Sequence, residues 1–203
     1  MLPKPDSINQ VWSLDFMSDA FTDGRRFRVL GVLDQCSREC LVITADTSLP
    51  GLRVVRELDM LVQMRGKPKV IVSDNGPELT SVAVLIWASE QGIDWHYIAP
   101  GKPQQNAFIE SFNGRLRDEL LNETLFTSLA HVREVLAIWM EDYNTVRPHS
   151  GLSNLSPAAY ANLSAPGMQR DGTLRYAEGS APRPVASPSQ QGSNEVRTLL
   201  IAG

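Results

Sequence analysis

With 203 residues, 42% of them hydrophobic and 21% charged, the chain has the balance of an ordinary globular protein with one substantial domain. Nineteen Lys and Arg against 23 Asp and Glu leave a net charge of −4, the wrong sign for holding nucleic acid by phosphate neutralisation alone. No apolar run approaches bilayer-spanning length and the start, Met1-Leu2-Pro3-Lys4-Pro5-Asp6, lacks the apolar core of a secretory signal, which sets a cytoplasmic address without membrane contact as the expectation.

Pro3 and Pro5 withdraw backbone donors and bias their neighbours away from helix, so residues 1–9 read as an extended leader to a core spanning 10–163. Val11-Trp12-Ser13-Leu14-Asp15-Phe16 alternates strictly, which predicts a strand with Trp12, Leu14 and Phe16 on one face and Ser13 and Asp15 on the other. Aspartate suits strands poorly, so Asp15, near the end of this one, wants a reason. Beyond the Asp23-Gly24 turn, residues 27–33 and 41–45 are β-rich runs around the polar link 34–39, and three strands with short connections predict an antiparallel meander. In that link, Cys36 and Cys40 have no second Cys or His pair to complete a zinc site and read as reduced thiols, while Asp34 reads as a turn or helper residue.

Leu52, Val55, Leu58 and Val62 then mark the packed stripe of a helix that stops at Gly66 and Pro68. Residues 69–73 form a short apolar strand suited to a buried, parallel position, ending in the turn Asp74-Asn75-Gly76-Pro77. A helix from about 78 to 91 closes at Gly92, and 94–98 supply a fifth strand. The order βββαβαβ followed by helices predicts an α/β fold.

Gly101-Lys102-Pro103-Gln104-Gln105 is a donor-rich loop passing into a helix whose buried face is Phe108, Ile109, Phe112, Leu116 and Leu120. Glu110, Asn113, Gly114 and Arg117 fall on the neighbouring stripe, so a carboxylate, an amide and a guanidinium project together from its rim. Taken alone, such a stripe is the ordinary solvated side of a helix. Leu129, Val132, Leu136, Trp139 and Tyr143 repeat at threes and fours in one more helix, and a Pro-, Gly- and Ser-rich stretch over 164–203 reads as a flexible tail.

Asp15 near one strand end, Asp74 at another and Glu110 on the helix after the loop stand at telling places. If the first and fourth strands are neighbours in a mixed sheet, the two aspartates meet at one edge and the loop can bring Glu110 over them. Three carboxylates converge only around positive charge. Hard oxygen ligands favour magnesium or manganese, and two such ions about 4 Å apart serve phosphodiester chemistry. The 35 residues between Asp74 and Glu110 are a weak motif by themselves.

Context strengthens it. Trp12 to Phe16, the run Ser73-Asp74-Asn75-Gly76-Pro77-Glu78, Pro100 to Pro103 with Asn106 to Asn113, and Asp142-Tyr143-Asn144 with Arg147-Pro148-His149 resemble, in order, the blocks of the integrase-like transposases of bacterial insertion sequences, the large group made by frameshifting between two overlapping frames. The match runs from about Asn9 to Tyr160. It implies a ribonuclease-H-like fold with a five-stranded mixed sheet, catalytic and metal-binding roles for Asp15, Asp74 and Glu110, and two Mg2+ or Mn2+ ions when DNA is bound. The basic residue that follows the group's glutamate by seven positions falls on Arg117, which could hold a phosphate bidentately. Lys102, Asn75, Asn106 and Asn113 are further DNA-binding candidates, the three asparagines having equally ordinary readings as turn and cap residues.

The implied reaction is water attack on a phosphodiester at an element end, then attack by the freed 3′-hydroxyl on another strand. Tyr97, Tyr143 and Tyr160 read as packing residues rather than nucleophiles, and His96, His131 and His149 lack ligand spacing. The implied partners are DNA of element ends and target, and further copies of the chain on that DNA, with nucleoid association in a bacterium. Helix-turn-helix segments that normally precede this point in the group are absent from the sequence, so an upstream helix-turn-helix protein or fusion partner is expected, which would also account for the acidic balance. Leu79 stands where the group has an aromatic, a packing change. The rival readings are an inactive remnant that folds and interacts, and a metal-dependent nuclease of the same fold.

Overall fold

The sheet grows outward from β1 (Val11–Ala20), whose side chains alternate between two packed faces. In the computed structural model, which describes residues 5–99 and 106–164, β2 (Arg26–Asp34) and β3 (Cys40–Asp46) follow as an antiparallel meander. After α1 (Gly51–Arg65), β4 (Val70–Ser73) lies parallel to β1; after α2 (Val82–Gln91), β5 (Asp94–Tyr97) lies parallel to β4. The order across the sheet is β3-β2-β1-β4-β5, a five-stranded mixed sheet with the first and fourth strands side by side. Then come α3 (Ala107–Leu116), a π turn (Arg117–Leu121), α4 (Leu129–Thr145), a 3-10 turn (Ser150–Leu152) and α5 (Pro157–Ser164). Lys102 and the tail from 165 onward lie outside the described residues.

Period-two alternation divides the core. Trp12, Leu14 and Leu30 join Leu58 and Leu61 of α1 and Trp87 of α2 in one cluster. Met17, Val29 and Ala45 join Ile109 and Phe112 of α3 and Leu136 and Trp139 of α4 in another. With both faces covered, the middle strands carry the near-continuous apolar character expected of a buried sheet. Ser128 starts α4 by accepting a hydrogen bond from the His131 N–H at 3.2 Å. Near the other end of α4, Asn144 grips β3: its Oδ1 accepts from the Cys40 N–H and its Nδ2 donates to the Cys40 carbonyl, both at 2.9 Å. Among the described residues no helix is long and apolar enough to cross a membrane.

Four expectations need adjusting. β1 continues to Ala20, paired with Arg26, so Asp15 sits mid-strand rather than near an end; Ser18 and Asp19 extend the hairpin because the β2 ladder satisfies their backbone. α2 starts at Val82, not near 78, because the Gly76 carbonyl accepts the Leu79 and Thr80 N–H groups in a separate turn. In α1 the buried stripe is Val54, Leu58 and Leu61, while Leu52 is 73% exposed. On α3, Phe108 is exposed, and past Leu116 the π turn admits an extra residue, so Leu121 enters the core and Leu120 only flanks it.

Candidate active site

The parallel ladder pairs Ser13 with Val72. Two residues further along each chain stand Asp15 and Asp74, so the first aspartate lies inside the central strand and the second just past the neighbouring one. Asp74 is held by an Asx turn, its Oδ1 accepting the Gly76 N–H at 3.0 Å. A Cβ on Gly76 would stand 3.1 Å from that oxygen, a tight contact that the Asp74 side chain would have to yield to by a few tenths of an ångström.

Asp15 faces α3. Its Oδ1 accepts the Phe16 N–H at 2.7 Å and its Oδ2 accepts from Asn113 Nδ2 at 2.7 Å. Gly31, opposite Asp15 on β2, lets α3 approach: a Cβ there would already touch Phe112 at 3.4 Å. Burial pushes the Asp15 carboxyl up to about 6; the Phe16 N–H opposes this, the charge of Asp74 adds to it, Asn113 opposes it, and the charge of Glu110 adds to it. Acids from β1, the end of β4 and the first turn of α3 therefore share one electrostatic neighbourhood. Glu110 itself is exposed at the positive end of α3, where a carboxylate is favoured.

This gathering stops short of a closed cage. Among the described residues no three acidic, imidazole or thiol side chains form a ready metal-ligand cluster. The donor set nevertheless fits a divalent ion: the oxygens are hard, and the like charges raising Asp15 are what a cation would relieve.

The remaining candidates have mixed positions. Asn113 bonds Asp15 directly and is buried with its own Oδ1 unpartnered. Asn106 donates to the Leu14 carbonyl at 3.3 Å, one residue from Asp15, and its Oδ1 is likewise buried without a partner. Asn75 is exposed and reaches the Ile98 carbonyl at 3.4 Å, a tie between the ends of β4 and β5. Arg117 is exposed at the junction of α3 and the π turn and makes no ion pair among the described residues. Asp34 has a turn role: Oδ1 accepts from the N–H groups of Cys36 and Ser37, and Oδ2 from that of Asn9. Sequence reasoning missed the ion pair between Arg28 and Glu78, with the Arg28 guanidinium 4.2 Å from the centre of the Phe16 ring. Its partners are 50 residues apart, Arg28 on β2 and Glu78 in the turn beyond β4, and only the folded sheet brings them close.

Residues 5–103 match a family model described as integrase core domain, and residues 91–157 match a second model of the same description. A 31.7 kDa protein of insertion element IS407 from Burkholderia multivorans is 49% identical over 160 residues, which are 79% of this chain and 58% of that protein. A 39.2 kDa protein of insertion element IS476 from Xanthomonas euvesicatoria is 48% identical over 153 residues, 75% of this chain and 44% of that one. The chain thus spans roughly half the length of these curated relatives. The catalytic core domain of HTLV-2 integrase, solved in complex with magnesium, aligns with a TM-score of 0.61 at 14% identity, over 77% of this chain and 98% of that one. That likeness makes the fold ribonuclease-H-like, and the two family models, which between them cover residues 5–157, show that the chain belongs to the integrase core family, with proteins of bacterial insertion elements among its relatives.

Proposed function

We propose that this chain is the catalytic core of an insertion-element transposase, a polynucleotidyl transferase that cleaves DNA at element ends and joins the freed ends to a target. The observation that carries the reading is the convergence of three acids distant in sequence: Asp15 lies opposite the end of β4 that carries Asp74 and is bonded to Asn113 of the helix that carries Glu110, and its carboxyl, raised first by burial, also feels the charges of Asp74 and Glu110. Asp15, Asp74 and Glu110 would hold Mg2+ or Mn2+. Bound there, the metal supplies charge neutralisation and activation for in-line phosphoryl transfer.

The chain's own residues prepare that step. Asn113 orients Asp15 through its Oδ2, the Asx turn orients Asp74, and α3 presents Glu110 at its N-terminal end. The buried site keeps Asp15 in a low-dielectric setting where the charge of a bound cation acts strongly. Arg117, Asn75, Lys102 and Asn106 are assigned to the DNA, Arg117 as a phosphate ligand on the stripe shared with Glu110. Further copies of the chain assemble on that DNA, a reading supported by the trimeric form of the HTLV-2 core. Recognition of particular ends falls to a helix-turn-helix region, in the same polypeptide or a separate one. The protein acts in the bacterial cytoplasm, at the nucleoid.

Incubation with Mg2+ and a duplex carrying a free 3′ end tests this. Strand-transfer product that disappears in Glu110→Gln, with the circular dichroism spectrum unchanged, is the expected result. Metal-dependent nicking without joining would make the chain a nuclease, and no metal-dependent turnover of any DNA would make it an inactive remnant.

A further inference from the structure

The Arg147-Pro148-His149 block has no part in the acid site. It leads from α4 into the 3-10 turn, where the His149 ring stands edge-on to Tyr143 with centroids 5.0 Å apart. A cavity of about 140 Å³ opens there, walled by His149 and Ser150 on one side, Phe108, Ser111 and Arg115 of α3 on another, and Arg38 from the β2–β3 turn. Among the described residues no carboxylate lines it.

Arg38 is fixed in place. Its guanidinium donates to the Gln35 carbonyl and stacks 3.2 Å from the centre of the Phe108 ring, and its own carbonyl accepts the Tyr143 hydroxyl at 3.1 Å. Arg147 is neutralised by Glu119 and Asp142, whereas Arg38 and Arg115 make no ion pair among the described residues. His149 is 8% exposed, and its Nε2 is buried with no hydrogen-bond partner among the described residues. Burial holds its pKa below the ordinary histidine value, and Arg115, Arg147 and Arg38 lower it further. A neutral imidazole keeps one N–H to donate, and the cations that discharge it make the space positive. Unpartnered buried polar atoms are rare enough to need a reason, and a ligand is one.

We propose that this cavity binds a phosphate group of the DNA backbone, gripped by Arg38 and Arg115 with His149 and the hydroxyls of Ser111 and Ser150 as further donors. Naming DNA as the source rests on the transposase reading. Phe108, Ser111 and Arg115 recur at three and four residues on one flank of α3, and at 100° per residue Glu110 and Arg117 lie roughly opposite. One helix thus separates two DNA contacts: acids on one side, an anion cradle on the other. On a chain of net charge −4, two unpaired arginines in one cavity are the kind of local exception that binding a phosphodiester requires.

Binding of a fluorescent duplex by the full chain, titrated over salt, tests this alongside thermal melting with inorganic phosphate. Arg115 is exposed, so Arg115→Glu should fold normally; it should weaken the duplex about tenfold and flatten the salt slope by about one or more. Arg56→Glu, a charge change at an exposed site on α1, should do neither to the same degree. Phosphate should raise the Tm of the native chain and not that of Arg115→Glu or His149→Ala. Equal effects of the Arg115 and Arg56 changes in both assays would overturn the proposal. Phosphate stabilisation specific to Arg115, with duplex affinity unchanged, would overturn DNA as the source and leave a free-phosphate site. If the native chain binds no duplex at any salt, the transposase reading fails, while the phosphate titration still reads the cavity.

Discussion

Asp15 concentrates the conflict between folding and the proposed function in one side chain. It is placed mid-strand, mostly buried, near two other acids, and its carboxyl rises from 3.8 to about 6. Between those values the folded protein keeps a proton that the unfolded chain has lost, so stability falls as pH rises through that window. Above about 6 the penalty is fully present, on the order of 2–3 kcal/mol. Asp15→Asn removes the charge and keeps the shape. The buried, unpartnered Asn113 Oδ1 offers an acceptor for the new amide if Asn113 turns over. Urea unfolding should therefore show Asp15→Asn more stable than the native chain by about 1–3 kcal/mol at pH 7.5, with the gain vanishing at pH 4. Equal stability at both pH values would mean that neither burial nor the neighbouring acids strain the Asp15 carboxylate.

Elements were legible where one pattern dominated and blurred where two overlapped. All five strands were readable from their β-rich runs, whereas the pairing of β1 with β4 entered only as the condition under which Asp15 and Asp74 meet, and the sheet order supplies it. On α1, however, Val54, Val55, Leu58, Leu61 and Val62 form an apolar arc about 120° wide, and Leu52 continues its spacing while lying about 120° from the centre at Leu58. Spacing alone could not tell the arc from its overhang. In the candidate site, motifs singled out the three acids, but the direct bond from Asn113 to Asp15 depends on how α3 seats against Gly31, which no local pattern encodes. A similar long-range dependence joins α1 to the turn before α2. A Cβ on Gly51 would lie 1.9 Å from Ser81 Oγ and 3.0 Å from the Glu78 carbonyl, and Ser81 Oγ already donates to that carbonyl at 2.8 Å. Gly51→Ala should cost about 1–3 kcal/mol in denaturant unfolding, and adding Ser81→Gly should recover part of it. An additive double variant would place the strain elsewhere.

For the molecule as a whole, the proposed DNA substrate is reconciled with net acidity by sorting charge rather than by accumulating positive charge. Carboxylates from three elements gather on one side of α3 and two unpaired arginines line a cavity on the other. On the proposed reading the first group takes a cation before phosphodiester approaches, so metal binding and protonation of Asp15 compete. Below about pH 6 the folded chain must release a proton to accept Mg2+, and the apparent affinity should fall by up to about tenfold for each further unit of acid. Above that value no proton is released and the affinity should level off. Differential scanning fluorimetry at fixed Mg2+ reads this as a Tm increase that is small at pH 5, grows to about pH 7 and then stays constant. Asp15→Asn, already relieved of its charge, should melt higher without Mg2+ and gain little from it at any pH. A metal-induced increase that ignores pH, or that survives Asp15→Asn intact, would place the cation away from the acids that β1, β4 and α3 bring together.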